Sequence, residues 1–290
     1  MANLQEVRTR IASVGSTRQI TSAMKMVSAA KFRRAQSAII GMRPYSAQLS
    51  NILSSIEAGD EVETPYHALR KTQRVLLVVM TSNKGLCGAF NSNVIKSALA
   101  RVEEYRTQGV EVRVLSLGKR GTDVFRKHGG LLVGSHDDLL DHPAFDDVAQ
   151  VAEGVMRDFR DGQYDRVELI YNRFKNSLVQ ILTNEQFLPL PQRDKAVGGQ
   201  GGVQHDYILE PSPKDILAEL VPQSLRCLFY RTVLDTLASE HGARMNAMQK
   251  ATDNATDLLK ELRLSYNKAR QAAITNEIIE IVSGAEALNG

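Results

Sequence analysis

Residues 234–285, LDTLASEHGARMNAMQKATDNATDLLKELRLSYNKARQAAITNEIIEIVSGA, contain no proline and only two glycines, Gly242 and Gly284. Along them Leu234, Leu237, His241, Met245, Met248, Thr252, Ala255, Leu258, Leu262, Tyr266, Ala269 and Ala273 recur at steps of three or four. That spacing puts one stripe on one face of an α-helix, the pattern of a coiled-coil seam. Ile274, Ile278, Ile281 and Ala285 carry the stripe on after a one-residue change of phase. Upstream, Ser212 before Pro213, with Asp215 in the first turn, reads as a helix start. A helix from about 212 to 288 far exceeds the usual 8–20 residues, which marks a scaffold helix roughly 110 Å long.

The other end of the chain mirrors it. Leu4, Val7, Ile11 and Val14, and later Ala35, Ile39, Met42, Tyr45, Leu49, Ile52 and Ile56, keep the same three-four step. Between them Ile20 is the one large apolar residue from Ser16 to Ser22, and Ala23, Ser28, Ala29 and Ala30 supply small side chains. Pro44 lies inside the pattern and is expected to bend the helix or remove one hydrogen bond. Two long terminal helices flanking a middle domain are expected to pair antiparallel, with the second longer by about 30 Å. Its C-terminal stretch, roughly 274–288, is then a lone helix, apolar on more than one face, that needs a sleeve from another protein.

The middle reads as α/β. Strands are expected at 74–81, 110–117, 166–173 and 177–188, the last two as a hairpin around Asn176, with a short strand at 206–209. Helices are expected at about 91–108, 119–127 and 145–161, and the glycines at 198, 199, 201 and 202 mark a loop tip. The loop Ser82–Ala89 follows a buried strand and precedes a helix, the place where glycine-rich turns bind phosphate. It matches neither G-x-G-x-x-G nor G-x-x-x-x-G-K-[ST], so a tight turn serving helix–strand packing is the better reading. Cys87 reads as a packed thiol, and the six histidines show no metal-ligand spacing, so no cofactor and no metal are expected. His241, on the helical seam, reads as a packing or polar-register residue.

Composition agrees with a chain of this kind. Over 290 residues, 36 Lys and Arg stand against 33 Asp and Glu, a net charge of +3, and there is no Trp. With aromatics at only 6%, aliphatic and alanine-rich helix packing must carry more of the core. The longest apolar run, Val75–Met80, is far too short to span a bilayer, and no secretory signal is expected at the N-terminus. Two cysteines are too few for a disulfide framework and fit a reducing compartment. Charge is uneven: residues 1–43 hold eight basic side chains and one acid, whereas residues 137–165 hold nine acids and two bases. A basic terminal segment suits an anionic partner. Its charges are interleaved with seam positions rather than gathered ahead of a zipper, which argues against a nucleic-acid binder.

Several ordered motifs give the chain a specific resemblance. Ile20-Thr-Ser-Ala-Met-Lys-Met-Val27, Arg43-Pro-Tyr45, Lys84-Gly-Leu-Cys-Gly-Ala-Phe-Asn91, Ser239-Glu-His-Gly-Ala-Arg-Met-Asn-Ala-Met248, Asn267-Lys-Ala-Arg-Gln271 and the stretch from Ile274 to Ala287 are similar to the gamma subunits of bacterial F-type ATP synthases. The resemblance covers essentially the whole chain. It implies an antiparallel coiled coil of residues 1–60 and 212–288 around a central Rossmann-like α/β domain at 70–210. It also implies a rotor shaft without a catalytic site of its own, coupling ion flow to ATP synthesis or hydrolysis. The implied partners are the alpha and beta subunits of the surrounding hexamer, the epsilon subunit and the c-subunit ring. The implied place is peripheral, on the cytoplasmic face of the bacterial membrane, as a single copy. By motif position Met24, Arg244, Arg270, Gln271, Thr275 and Glu277 are implied to meet the beta subunit, and Tyr207 the c ring or epsilon. Neither Cys87 nor Cys227 has a nearby partner, so the thiol switch of chloroplast forms is not expected. Without the resemblance, the residues alone reach as far as a coiled-coil adaptor.

Overall fold

The computed structural model describes residues 4–59, 64–191, 210 and 212–289. Five helices, α1 (Leu4–Gly59), α2 (Phe90–Thr107), α3 (Lys119–Phe125), α4 (Phe145–Arg160) and α5 (Pro213–Asn289), accompany five strands. The strands are β1 (Arg74–Met80), β2 (Glu111–Leu117), β3 (Leu132–Ser135), β4 (Arg166–Phe174) and β5 (Gln180–Leu188). The expected loop tip at 196–202 and strand at 206–209 lie outside the described residues, as does Tyr207. The described residues form two compact units, Ala29–Arg244 and Met1–Ser28 with Met245–Gly290.

Ala29–Arg244 is built on a sheet of order β3-β2-β1-β4-β5. β1 pairs in parallel with β2 and β4, β2 with β3, and β5 closes the edge antiparallel to β4. β1 is central, so six consecutive apolar residues suit it: alternate side chains enter opposite faces and both faces are covered. Val75, Leu77 and Val79 meet Val94, Ala98 and Val102 of α2, together with Phe125 and Leu131. Leu76, Val78 and Met80 belong to the larger core. There they join Val148, Ala152, Val155 and Phe159 of α4, Leu225, Phe229, Val233 and Leu237 of α5, and Ala35 and Ile39 of α1. Each such large side chain contributes about 1.5–3 kcal/mol when fully buried.

The chain crosses from β2 to α3 at Gly118, which adopts φ 108° and passes over Thr81. The Thr81 hydroxyl donates to the Gly118 carbonyl at 3.0 Å and accepts from the Gly121 amide at 2.9 Å. Only glycine fits, because a Cβ on residue 118 would stand 2.4 Å from the Thr81 carbonyl oxygen. The acidic stretch is largely structural. Asp165 accepts the Gln73 and Arg74 amides at 2.9 Å, Asp137 accepts the Thr122 hydroxyl at 2.8 Å, and Asp146 and Asp147 sit at the positive N-terminus of α4.

The long helices follow the seam with local corrections. The Ser212 hydroxyl accepts the Asp215 amide at 3.2 Å, capping α5 where the sequence indicates. Helix α1 runs through Pro44 without ending, as α5 does through Pro222. Tyr45 is 51% and Ile20 60% exposed, so neither belongs to the seam. The positions that are buried instead, Val7, Thr21, Ser28, Ala35 and Leu49, recur at multiples of seven. Two of them are polar and one is alanine, which conceals the repeat from a search for large apolar residues. In α5 Leu259, rather than Leu258, is the buried member. Strand β3 was not expected: four residues after Gly129-Gly130, half of them exposed, lack a strand pattern.

Within Met1–Ser28 and Met245–Gly290 the helices are antiparallel. The Thr252 hydroxyl donates to the Thr21 hydroxyl at 2.8 Å, and Arg8 donates to the Tyr266 hydroxyl at 2.9 Å. Thirteen residues back along α1 thus match fourteen forward along α5. In this register Leu4, the first residue of α1, lies level with about residue 269. About twenty residues of α5, roughly 30 Å of helix, continue without an α1 residue beside them. The expected excess length of the second helix is therefore present.

Replacing Gly118 by Ala should lower stability by about 3 kcal/mol or more, from left-handed strain and the clash with Thr81. Gly41→Ala, in exposed helix with open space around it, should raise stability by about 0.5–1 kcal/mol. Denaturant unfolding of the two variants measures both.

Candidate functional site

In an open parallel sheet, ligands bind beyond the carboxyl ends of the strands where the strand order reverses. Here that point lies between β1 and β4, because the chain moves outward through β2 and β3 before returning to β4. Helix α5 occupies it. The Thr236 hydroxyl approaches the Met80 sulfur at 3.5 Å, and the Ser239 hydroxyl donates to the Asn172 carbonyl of β4 at 2.9 Å. Gly242 passes the hairpin so closely that a Cβ would meet the Ser177 carbonyl at 3.3 Å. The crevice that a nucleotide would use is filled by the chain's own helix.

The loop Ser82–Ala89 is wired from within and from α5. The Ser82 hydroxyl donates to the Lys84 carbonyl at 2.7 Å, and the Asn91 amide group donates to the Cys87 sulfur at 3.2 Å. Cys87 is buried and free, a packed thiol. At the apex Leu86 holds φ 63°, a conformation costing a non-glycine residue about 1 kcal/mol or more, and is 63% exposed. Arg244 reaches this loop with most of its fork. Nη2 donates to the Lys84 carbonyl at 2.7 Å and Nε to the Gly85 carbonyl at 3.2 Å. Nη1 donates to Glu240 at 2.6 Å.

Both charges are nearly sealed, Arg244 at 7% and Glu240 at 5% exposure. Breaking a buried pair by removing one partner costs about 3–5 kcal/mol, since the other charge is left alone. Burial pushes the Glu240 carboxyl up, and Arg244 opposes that shift. His241 feels burial first, then Arg244 and Lys31, and is pushed down to about 4. Its Nδ1, 3.3 Å from Arg244 Nη1, is thereby kept as a neutral acceptor.

The other candidate residues lie on the terminal helices. Met24 is half-buried on α1, where its carbonyl accepts the Ser28 hydroxyl at 2.8 Å. Arg270, Gln271, Thr275 and Glu277 are exposed and clustered within about two turns of α5. Ile274, Ile278, Ile279, Ile281 and Val282 among them are 48–71% exposed. Five large apolar side chains within nine residues, none sheltered, form a surface of the kind that marks a protein contact. Arg244 is thus set apart: it is enclosed, while the α5 cluster is open. Sequence reading missed Glu240 and Leu86. The four-residue step from Glu240 to Arg244 is a legible signal; the positive φ of Leu86 leaves no trace in sequence.

An α/β domain whose ligand crevice is plugged by its own helix, together with an antiparallel helix pair ending in an open apolar overhang, defines a non-catalytic stalk subunit. The family model described as ATP synthase matches residues 3–288. The ATP synthase gamma chain of Flavobacterium johnsoniae is 53% identical over 292 residues, with both chains fully covered. That of Cytophaga hutchinsonii is 48% identical, again over the full length of both. Among solved structures, the central stalk and c ring of Tetrahymena thermophila mitochondrial ATP synthase contains a chain 27% identical, TM-score 0.60, covering 80% of this chain and 99% of that one. A chain of Euglena gracilis mitochondrial ATP synthase shares the fold at TM-score 0.66 and 24% identity, covering 98% of this chain and 94% of that one. This chain belongs to the ATP synthase gamma chain family.

His241 makes acidification destabilising. With its folded value near 4 and the free imidazole near 6.5, the neutral-state stability is complete above 6.5 and is lost as pH falls toward 4. His241→Gln should therefore lose less stability than the parent between pH 7 and pH 4.5, as measured by thermal melts.

Proposed function

We propose that the chain is the central rotor shaft of the F1 sector, coupling ion flow through a membrane ring to ATP synthesis or hydrolysis. Membership of the gamma chain family makes it a non-catalytic subunit of the rotary ATP synthase complex, and removes the adaptor alternative. No described helix is long and apolar enough to cross a membrane, in keeping with a peripheral subunit.

The observation that carries the mechanical reading is the α5 overhang beyond about residue 269, with its exposed isoleucines. A sleeve formed by three alpha and three beta subunits is the cover it requires. Arg270, Gln271, Thr275 and Glu277, interspersed among those isoleucines, would meet the beta subunits, and Met24 on α1 would join them. The division into 1–60, 70–210 and 212–288 then assigns shaft, base and shaft. The base, with Tyr207, meets the epsilon subunit and the c ring on the cytoplasmic face of the bacterial membrane, one copy per complex. A shaft whose faces differ presents unequal contacts to three identical beta subunits. A difference of about 1.4 kcal/mol changes an affinity tenfold, so modest contact differences suffice to order the nucleotide cycle as the shaft turns.

Ending the chain at Ala273 should leave the thermal unfolding of Ala29–Arg244 unchanged. In the assembled complex it should lower proton pumping per ATP hydrolysed, or the yield of assembly. Full coupling after that deletion contradicts the sleeve.

A further inference from the structure

Arg244 is the one candidate partner residue that its surroundings enclose. Its guanidinium donates to the Lys84 and Gly85 carbonyls and to Glu240, and its side chain is 8% exposed. Little of it remains for another subunit. What it holds, however, projects outward: one residue beyond Gly85 stands Leu86, exposed and in the left-handed region. A leucine persists there only if the flanking backbone is fixed from outside. On the near side Arg244 grips carbonyls 84 and 85, and on the far side Asn91 grips the sulfur of Cys87.

We propose that Arg244, aligned by buried Glu240, is a positioning residue that holds the Leu86 apex out as an apolar knob, and that the knob, not the guanidinium, is what the neighbouring subunit touches. This rests on the reading of the chain as a shaft within the ATP synthase, and moves the contact from residue 244 to residue 86. The partner surface it fits is an apolar dimple able to take one leucine side chain. Charge alone does not perform the task. The two carbonyls are reached by different nitrogens of one planar fork, while a third bonds Glu240, which a lysine ammonium cannot reproduce.

The probe is the Cys87 thiol, in a Cys227→Ser background so that one thiol remains, with a small neutral disulfide as reagent. Arg244→Lys keeps the ion pair with Glu240 and gives up the fork. It should raise the Cys87 reaction rate at least tenfold in the isolated chain, with helix content unchanged. Arg244→Gln should do the same or more. Leu86→Ser should leave the rate within about threefold of the parent, because the grip on carbonyls 84 and 85 stays in place. In the assembled synthase, Arg244→Lys and Leu86→Ser should each lower protons pumped per ATP hydrolysed, and the double variant should be no worse than the lower single one.

A wild-type Cys87 rate together with normal coupling in Arg244→Lys would overturn the proposal, since charge would then suffice. So would impaired coupling with an unchanged Cys87 rate in both Arg244 variants, which would make Arg244 a direct contact. A faster Cys87 rate with full coupling in Arg244→Lys and Leu86→Ser would show that no subunit uses the knob. A parent chain that fails to assemble with alpha and beta subunits would instead count against the shaft reading itself.

Discussion

The antiparallel register between α1 and α5 is the constraint on which the function depends. Once the Thr21 and Thr252 hydroxyls are bonded, every level of the helix pair is set. Helix α1 then supplies no partner beyond about residue 269, and α5 continues for some twenty residues more. A helix hydrophobic on several sides is stable when enclosed and frays when bare. The mismatch in length is therefore a demand for a partner, written into the fold. Small seam residues serve the same end: Thr21, Ser28 and Ala255 let the helix backbones approach closely where large aliphatics would hold them apart.

The α/β domain shows how a nucleotide-binding architecture becomes a structural one. Its strand order creates the usual crevice, and α5 closes it with Thr236, Ser239 and the glycine at 242. Polar side chains replace the ligand, each satisfied by a backbone or sulfur acceptor, so no buried hydroxyl is left without a partner there. The acidic flank is absorbed likewise. Asp137 and Asp165 tie loops to strands, and little of that charge is spent on the surface.

Much of this was legible in the sequence because it rests on period and punctuation. The run Val75–Met80 could only be a strand buried on both faces, and the proline-free stretch after Pro222 could only be one long helix. Four features were hidden, each for a physical reason. Thr21 and Ser28 are seam residues by packing space rather than by hydrophobicity, so a pattern search passes over them and selects Ile20, which faces outward. Strand β3 is short, glycine-flanked and half exposed. The enclosure of Arg244 depends on a loop some 160 residues away in sequence, a long-range fact that local pattern cannot carry. The left-handed Leu86 is a conformation without a compositional mark. The exposed α5 cluster was the most legible part of the candidate site, since apolar residues without a matching partner helix are visible by counting lengths.

The central claim is that α5 beyond residue 269 lacks a partner in the chain itself and gains one in the complex. Amide hydrogen exchange on the isolated chain and on the assembled synthase tests it directly. In the isolated chain, amides of residues 271–289 should exchange at least a hundredfold faster than those of 248–266, and on assembly they should become as slow. Equal protection of the two stretches in the isolated chain, or no gain on assembly, contradicts the account.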